Sequence, residues 1–488
     1  MSIGMFLAIL DIQIVASSLI DIQFSLSIPQ DRLSYIQTTY LIAEVIAIAA
    51  SGFLTRVMST RILFTVAMIG FVAASVACAM SETYITLYAF RFIQGLFGGA
   101  VIPVVFSVVF LIFPLKQQPI ATVIGGGFAM LAPTVGPFIG GWITETLSWY
   151  WLFLINVVPG LLVASVTFFL VRVDAPDWRH IRKLDIPALA LAAVFLASLE
   201  LTLKESPGLG WLSAGALALA GLCVIAGTLT VRRCLARSEP LIDLSAFADR
   251  QFAVGAWLSF VLGMALFGAV YLMPPFLGLV RGYGPLDIGT IMIVTGVAQL
   301  IAAPVATVME QRMNPKLMTV LGFTLLAAGL LWNGFSTFEW DFDQLFVPQV
   351  LRGAAFVICL LPITRLALGN LPTEKVANGS ALFNLMRNIG GAVGLAIIDT
   401  IVEMRGPHHV ERIVDSLQAG SRDMAAFVGL PLERFDGTPI GDIDGATRDF
   451  VEPLVERAAA VASFNDAWMM LGVMAIASLV SLLPCGDL

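Results

Sequence analysis

Runs of about 20 apolar residues, bounded by charge, proline or glycine clusters, recur along this chain and restrict its fold more than any motif does. Hydrocarbon offers backbone N–H and C=O groups no partner, so a crossing segment must satisfy them within itself, as a helix. A core about 30 Å thick takes about 20 residues in that form. The runs fall at 2–20, 33–55, 62–80, 85–112, 119–145, 151–171, 186–203, 211–231, 252–278, 286–308, 317–335, 345–369, 377–401 and 466–484. Fourteen such runs predict an all-α polytopic membrane protein. The composition agrees, since 58% of the residues are hydrophobic and 12% charged, against about 25% charged in a soluble domain.

An even number of spans places both termini on one side, and the distribution of basic residues says which. With cytoplasmic termini the inside loops hold 14 basic residues: Arg56, Arg61, Lys116, Arg172, Arg179, Arg182, Lys183, Arg232, Arg233, Arg237, Arg250, Arg312, Lys316 and Lys375. The short outside loops hold three, Arg32, Lys204 and Arg281. Residues 403–466 carry 12 acidic and 6 basic side chains, which is −6 of the formal −7. The acidic balance therefore belongs to one outside loop, 402–465, in which 410–417 and 449–461 read as helical. The first run begins at Met1 without the basic n-region of a cleavable signal peptide. The expectation is a chain start that omits a short cytoplasmic lead-in.

No Gly-Lys-Ser/Thr phosphate loop and no dinucleotide fingerprint after a strand occurs, so nothing suggests ATP or a redox cofactor as energy source and no cofactor is expected. Cys78, Cys223, Cys234, Cys359 and Cys485 are scattered, mostly in apolar runs, and with His180, His408 and His409 they show no metal-ligand spacing. No nucleophile–base pair suggests an enzyme. A membrane sensor or scaffold is the reading outside transport, although no appended soluble domain supports a sensor.

The chain also repeats itself. Arg91-Phe92-Ile93-Gln94-Gly95 is followed by Pro103, then by Phe113-Pro114 and Lys116. Gln349-Val350-Leu351-Arg352-Gly353 is followed by Pro362, then by Leu371-Pro372 and Lys375. The interval from Gly95 to Pro114 equals that from Gly353 to Pro372, at 19 residues. Two parallel repeats with a site between them at the midplane form a secondary-transporter arrangement. The expected organisation is an N-terminal six-helix bundle at 1–171, an inserted helix pair at 186–231, and a C-terminal six-helix bundle at 252–488 that carries the loop 402–465.

Ionisable side chains inside a membrane cost at least about 2.5–3.5 kcal/mol each at the helix centre, so each one is a candidate for function. Asp11 and Glu44 lie near the centres of the first two runs. A carboxyl in a low-dielectric cavity can take up a proton and release it when hydrated, which makes both candidate proton carriers. Arg91, Arg352 and Arg387 stay charged at any relevant pH and need a carboxylate, carbonyls, water or substrate beside them. Arg91 either answers the protonation of Asp11 or anchors two helices. Arg91 and Arg352 are expected at matching depths, and Arg387, after Asn384, in a polar network. Glu200 and Lys204 read as an ordinary helical pair, and Arg365 as snorkelling to the interface. The fifth run is crowded with Gly125, Gly126, Gly127, Gly136, Gly140 and Gly141 and interrupted by Pro133 and Pro137, as a close-packed, pliable helix would be.

Taken together, these motifs resemble the fourteen-span drug:proton antiporters of the major facilitator superfamily, of the EmrB/QacA type. Leu10-Asp11-Ile12-Gln13-Ile14-Val15 resembles the acidic first-span motif, Gly52-Phe53-Leu54 to Arg61 the second-to-third-span loop motif, and Arg91-x-x-Gln94-Gly95 the fourth-span motif. Ala132-Pro133-Thr134-Val135-Gly136-Pro137-Phe138-Ile139-Gly140-Gly141 resembles the fifth-span antiporter motif, and the likeness continues through Trp149 to Gly160 and Phe383-Asn384-Leu385-Met386-Arg387.

The resemblance implies the major facilitator fold, with Asp11 as proton-coupling acid, Arg91 assisting, and Pro133, Gly136, Pro137, Gly140 and Gly141 forming a conformational switch. Glu44 stands outside the general pattern as a second proton site or a determinant of substrate charge. Gln13, Gln94, Arg352, Asn384 and Arg387 are the candidates for substrate cavity or polar network. The loop motif usually has an acidic residue and a glycine where this chain has Arg56 and Ser59, which puts its charge relay in doubt. The implied activity is proton-coupled export of hydrophobic or amphipathic compounds across a bacterial inner membrane. Export of a dedicated metabolite, siderophore or lipid would share every motif. Loop 402–465 is either a solvated cap or a dock for a periplasmic adaptor (membrane fusion) protein leading to an outer-membrane channel.

Overall fold

The computed structural model describes residues 1–16, 18–29, 32–33, 35–114, 116–179, 185–237, 240, 242–430 and 445–482, without the side chains at 16, 20, 126–130, 134, 285 and 445–449. His180, Arg182, Lys183, Cys485 and positions 431–444 of the outside segment lie outside the described residues. Among the described residues all regular structure is helical. The first half holds α1 (Ser2–Ala16), α2 (Leu19–Leu26), α3 (Tyr35–Ala79), α4 (Tyr84–Ile112), α5 (Gln118–Thr122), α6 (Phe128–Thr146), α7 (Tyr150–Leu154) and α8 (Val157–Leu170). Next come α9 (Ile186–Leu209) and α10 (Ala214–Ala236). The second half holds α11 (Arg250–Pro275), α12 (Pro285–Arg312), α13 (Pro315–Asn333), α14 (Phe342–Leu368), α15 (Thr373–Gln418), α16 (Arg422–Val428) and α17 (Gly445–Ser478). Among the described residues, 11 helical segments are long and apolar enough to cross a membrane. One of them, α3, has 45 residues and length for two crossings, and α1 and the α5–α6 run are further apolar helices, so fourteen crossings are consistent with the helices present.

The long helix α3 doubles back at Ser59, whose φ of 70° and ψ of 155° leave the helical region. Tyr40 and Phe71 would stand about 46 Å apart along a straight helix, yet both border Gly98 of α4. That backbone conformation is nearly confined to glycine and costs another residue about 1–3 kcal/mol. Ser59 is the position where the resembling loop motif usually has glycine. Asp174, beyond α8, holds the turn from outside, accepting from Thr60 N at 3.0 Å and from Thr60 Oγ1 at 3.0 Å.

The two halves pack in the same pattern. α1 lies on α6 as α11 lies on α15, and α4 lies on both arms of α3 as α14 lies on α12 and α13. The register is shared to the residue. Gly95 rests on the Tyr40 carbonyl and Gly353 on the Thr295 carbonyl, at both places with no room for a Cβ. Four residues before each contact, Arg91 Nε donates to Ile36 O at 3.2 Å and Gln349 Nε2 to Ile291 O at 2.8 Å. Arg91 is therefore the counterpart of Gln349, and Gln94 of Arg352. The expectation of matching depth for the two arginines is corrected by about one helical turn. An Asp341–Gln344 capping box starts α14 at Phe342, ahead of the apolar run's start at 345.

The halves touch near both ends of the bundle. At the end where α3 turns, Gly52 lies against Asn378, and Ser380 Oγ donates to Pro103 O at 2.7 Å. Toward the other end, Gly289 of α12 lies against Phe138 of α6. The inserted pair α9–α10 packs on itself, with α9 also against α3 and α15. Asp185 caps α9 through Ala188 N at 3.2 Å and accepts from Arg233 Nε of α10 at 2.8 Å. That hydrogen bond first, then the cap, holds its carboxyl below the usual range. The expected Glu200–Lys204 pair does not form; Lys204 Nζ reaches Glu205 at 3.4 Å and the Tyr35 ring at 3.7 Å. Arg365 does not merely snorkel, since it donates to Glu310 Oε1 of α12 at 2.8 Å.

The segment expected outside leaves the body as a continuation of α15, which runs unbroken through 402 to Gln418. Its 46 residues make a rod about 69 Å long, more than twice the hydrocarbon thickness. Ile413, Leu417, Ala425, Val428, Val455 and Ala459 from α15, α16 and α17 form a small apolar core beyond the membrane body. At its base Asp466 receives His409 Nε2 at 2.8 Å and Arg405 Nε at 2.5 Å.

Candidate functional site

Asp11, fully buried near the middle of α1, is the centre of a polar cluster drawn from four stretches of the N-terminal half. Arg91 Nη1 of α4 pairs with Asp11 Oδ2. Oδ1 accepts from Gln94 Nε2 at 2.9 Å and from Asn156 Nδ2, just before α8, at 2.7 Å. Gln94 Nε2 also donates to Ser75 Oγ of α3 at 2.8 Å, and its Oε1 accepts from Arg91 Nη1 at 2.7 Å. The guanidinium lies over the Tyr40 ring at 4.4 Å, and the Tyr40 hydroxyl donates to Ala8 O at 3.0 Å. A buried pair like this holds together because each charge answers the other; removing one leaves the other uncompensated in low dielectric. Protonation of Asp11 would have that effect without any mutation. Of the two alternatives for Arg91 the structure has it answer Asp11, and Gln94, expected in a substrate cavity or polar network, joins the pair. Asn156, Ser75 and Tyr40 are additions, and the signal for Asn156 is an amide in an otherwise apolar run.

Glu44, on the first arm of α3, is 4% exposed, and its backbone lies against Gly99 of α4. It does not join the Asp11 cluster. Among the described residues it makes no hydrogen bond or salt bridge, and the charges acting on it are Glu200, Arg387 and Arg91. Arg387 of α15 is buried and donates through Nη2 to Asn384 Oδ1, while Asn384 Nδ2 donates to Ser380 O at 2.8 Å. The Arg387 guanidinium lies 5.4 Å from the Phe106 ring of α4, so it faces the other half of the molecule. Glu200 was the signal to weigh more heavily: an acidic residue within an apolar run, on a helix that packs against α3.

Gln13 lies apart from both groups. Its Cβ is the surface on which Gly136 of α6 packs, so a side chain at 136 would collide with it. Ser18 continues the α1–α6 seam through Gly140 O at 3.5 Å and Thr144 Oγ1 at 2.6 Å. Pro133 and Pro137 are buried inside an unbroken α6, and Gly140 and Gly141 are buried on the same helix. A π-helical turn at Val123–Gly127 precedes it, and such turns are places where a helix is locally reorganised. In the C-terminal half, Arg352 and Gln349 face a cavity of about 40 Å³ between α11, α12, α13 and α14, with no carboxylate among its lining residues.

Comparison with known proteins places this geometry. The Major Facilitator Superfamily profile matches residues 1–395. The Colistin resistance protein EmrB of Acinetobacter baumannii is 39% identical over 86% of this chain and 82% of its own. The Multidrug export protein EmrB of Escherichia coli is 26% identical over 98% of this chain and 92% of its own. Among solved structures, the proton:xylose symporter XylE matches with a TM-score of 0.59 at 14% identity, over 99% of this chain and 93% of its own, a likeness of fold. With a family profile over most of its length and a relative close to two-fifths identical, the chain belongs to the major facilitator superfamily and, within it, to the EmrB type.

Proposed function

We propose that the protein exports hydrophobic or amphipathic compounds across a bacterial inner membrane in exchange for protons, by rocking its two halves about a site at their interface. The observation that carries this reading is the Asp11–Arg91 pair, a titratable acid sealed inside the membrane body with its counter-charge on another helix. One inward proton is worth about 2.3 kcal/mol per 100 mV of potential. When Asp11 takes that proton, Arg91 loses its counter-charge, and α1 and α4 repack. Because α1 also forms the glycine seam with α6, that repacking reaches the contact of Phe138 with Gly289 between the halves. The names of the two EmrB relatives, colistin resistance and multidrug export, support a substrate range of this kind.

In this reading Glu44 is a second proton site, acting across the interface on Arg387, which with Asn384 belongs to the substrate cavity. The excess of basic residues in one set of short loops supports cytoplasmic termini. The cap built from α15, α16 and α17 is then periplasmic and docks an adaptor protein that leads to an outer-membrane channel. Deleting residues 420–446 should abolish resistance in cells and leave vesicle transport intact; equal loss of both would refute docking. The central test is Asp11→Asn in proteoliposomes with an imposed proton gradient. Substrate-linked proton flux should vanish, and a variant that still extrudes substrate and carries protons would overturn the proposal.

A further inference from the structure

Each half carries one arginine from the paired RxxQG and QxxRG segments, but the two are treated differently. Arg91 has Asp11. Arg352 is 5% exposed, and its Nε and Nη1 have no hydrogen-bond partner among the described residues. Among the described residues its one hydrogen bond is a long one, Nη2 to Gln349 Oε1 at 3.5 Å, and the guanidinium lies 4.9 Å from the Trp468 ring. Gln299, 3% exposed, also has an unpartnered Oε1. Both line the same cavity, together with Thr295, Ala265 and Ala269. Where α1 presents a carboxylate to Arg91, α11 presents alanines to Arg352.

A guanidinium keeps its charge, and an unanswered charge in low dielectric is costly. We infer that the C-terminal half binds one small monovalent anion, a halide or the carboxylate head of an organic acid, between Arg352 Nε and Nη1 and the amide of Gln299. The volume of about 40 Å³ has room for one such group, given about 10–15 Å³ on the same measure for a water. Thr295 is occupied, donating to Gln349 Oε1 at 2.8 Å, so it orients Gln349 and leaves the arginine as the main donor. Turning the Gln299 amide brings its NH₂ to the anion, and the two orientations of an amide differ only in which atom faces the site. The site stands whatever the coupling ion or direction of transport.

The test uses the purified full-length protein at constant ionic strength, with gluconate replaced stepwise by chloride, bromide, formate or octanoate. The unfolding temperature should rise saturably by about 2–4 °C, and bromide should quench Trp468 fluorescence with the same midpoint. Both effects should disappear in Arg352→Gln and in Ala269→Asp, which supplies an internal carboxylate as α1 does. A response to halides and formate identifies an inorganic or very small ligand, and a response to octanoate alone identifies an organic acid. If the wild-type protein shows no saturable response, or if either folded variant keeps the wild-type midpoint, the site does not exist. Should neither variant fold, the quenching decides: a saturable component that survives Trp468→Phe also refutes it.

Discussion

Arg91 reaches Asp11 with one nitrogen and, with Nε, the Ile36 carbonyl at 3.2 Å, so the side chain that answers the buried acid also holds α4 to α3. Loss of the acid and loss of the arginine should therefore differ. Arg91→Leu strands the buried Asp11 carboxylate without its counter-charge and removes the tie to Ile36 O, and should cost about 3–5 kcal/mol. The double variant Asp11→Asn, Arg91→Leu should recover part of that loss, and a double-mutant cycle on unfolding temperatures measures the coupling.

Ser59→Gly should stabilise the protein by about 1 kcal/mol or more, because glycine relieves the strained turn in the middle of α3. Ser59→Val should destabilise it by at least as much. Unfolding temperatures of the two variants in the same detergent check the sign.

Gly289→Leu should leave the protein folded and impair transport. A Cβ at 289 would stand 2.8 Å from the Phe138 Cα, so any larger side chain wedges α6 away from α12. Substrate binding should persist while transport falls at least tenfold. Reagent accessibility of a cysteine introduced at position 138 should rise.

The junction of α9 with α10 should be sensitive to acid. Asp185 titrates below its usual range because Arg233 binds its ionised form. The folded pKa is the lower one, so the stabilisation is present above the unfolded carboxylate value and is lost as pH falls through the folded one. Protection against hydrogen exchange at the first turn of α9, taken relative to the intrinsic rate at each pH, should fall as pH drops toward about 3, and Asp185→Asn should remove that dependence.

The spans were legible because lipid leaves a crossing chain one way to satisfy its backbone, and the basic loops then gave the expected orientation. Asp11, Arg91 and Gln94 were legible as polar residues out of place in apolar runs. Their partners were less so: Asn156 lies 145 positions from Asp11, and hydropathy does not say which helix faces which. The depth of Arg352 was misjudged because the start of α14 depends on a local cap at Asp341 rather than on the apolar run. In the segment after 402 the helical stretches 410–417 and 449–461 were legible, but not that they continue α15 and α17 without a break, since composition does not separate a solvated helix from a solvated link and the packing of α15, α16 and α17 does.

Because α15 is one continuous helix, with Pro407 inside it, Ser380 at the contact with α4 and Leu417 in the cap belong to the same element. About 56 Å separates them along its axis. A tilt of 10° at the lower end moves the upper end by about 10 Å. Each turnover thus works a lever whose long arm stands outside the membrane. Anything that gripped the cap would feel the stroke of the proposed cycle, and a load applied there would resist the repacking of helices at the other end of α15.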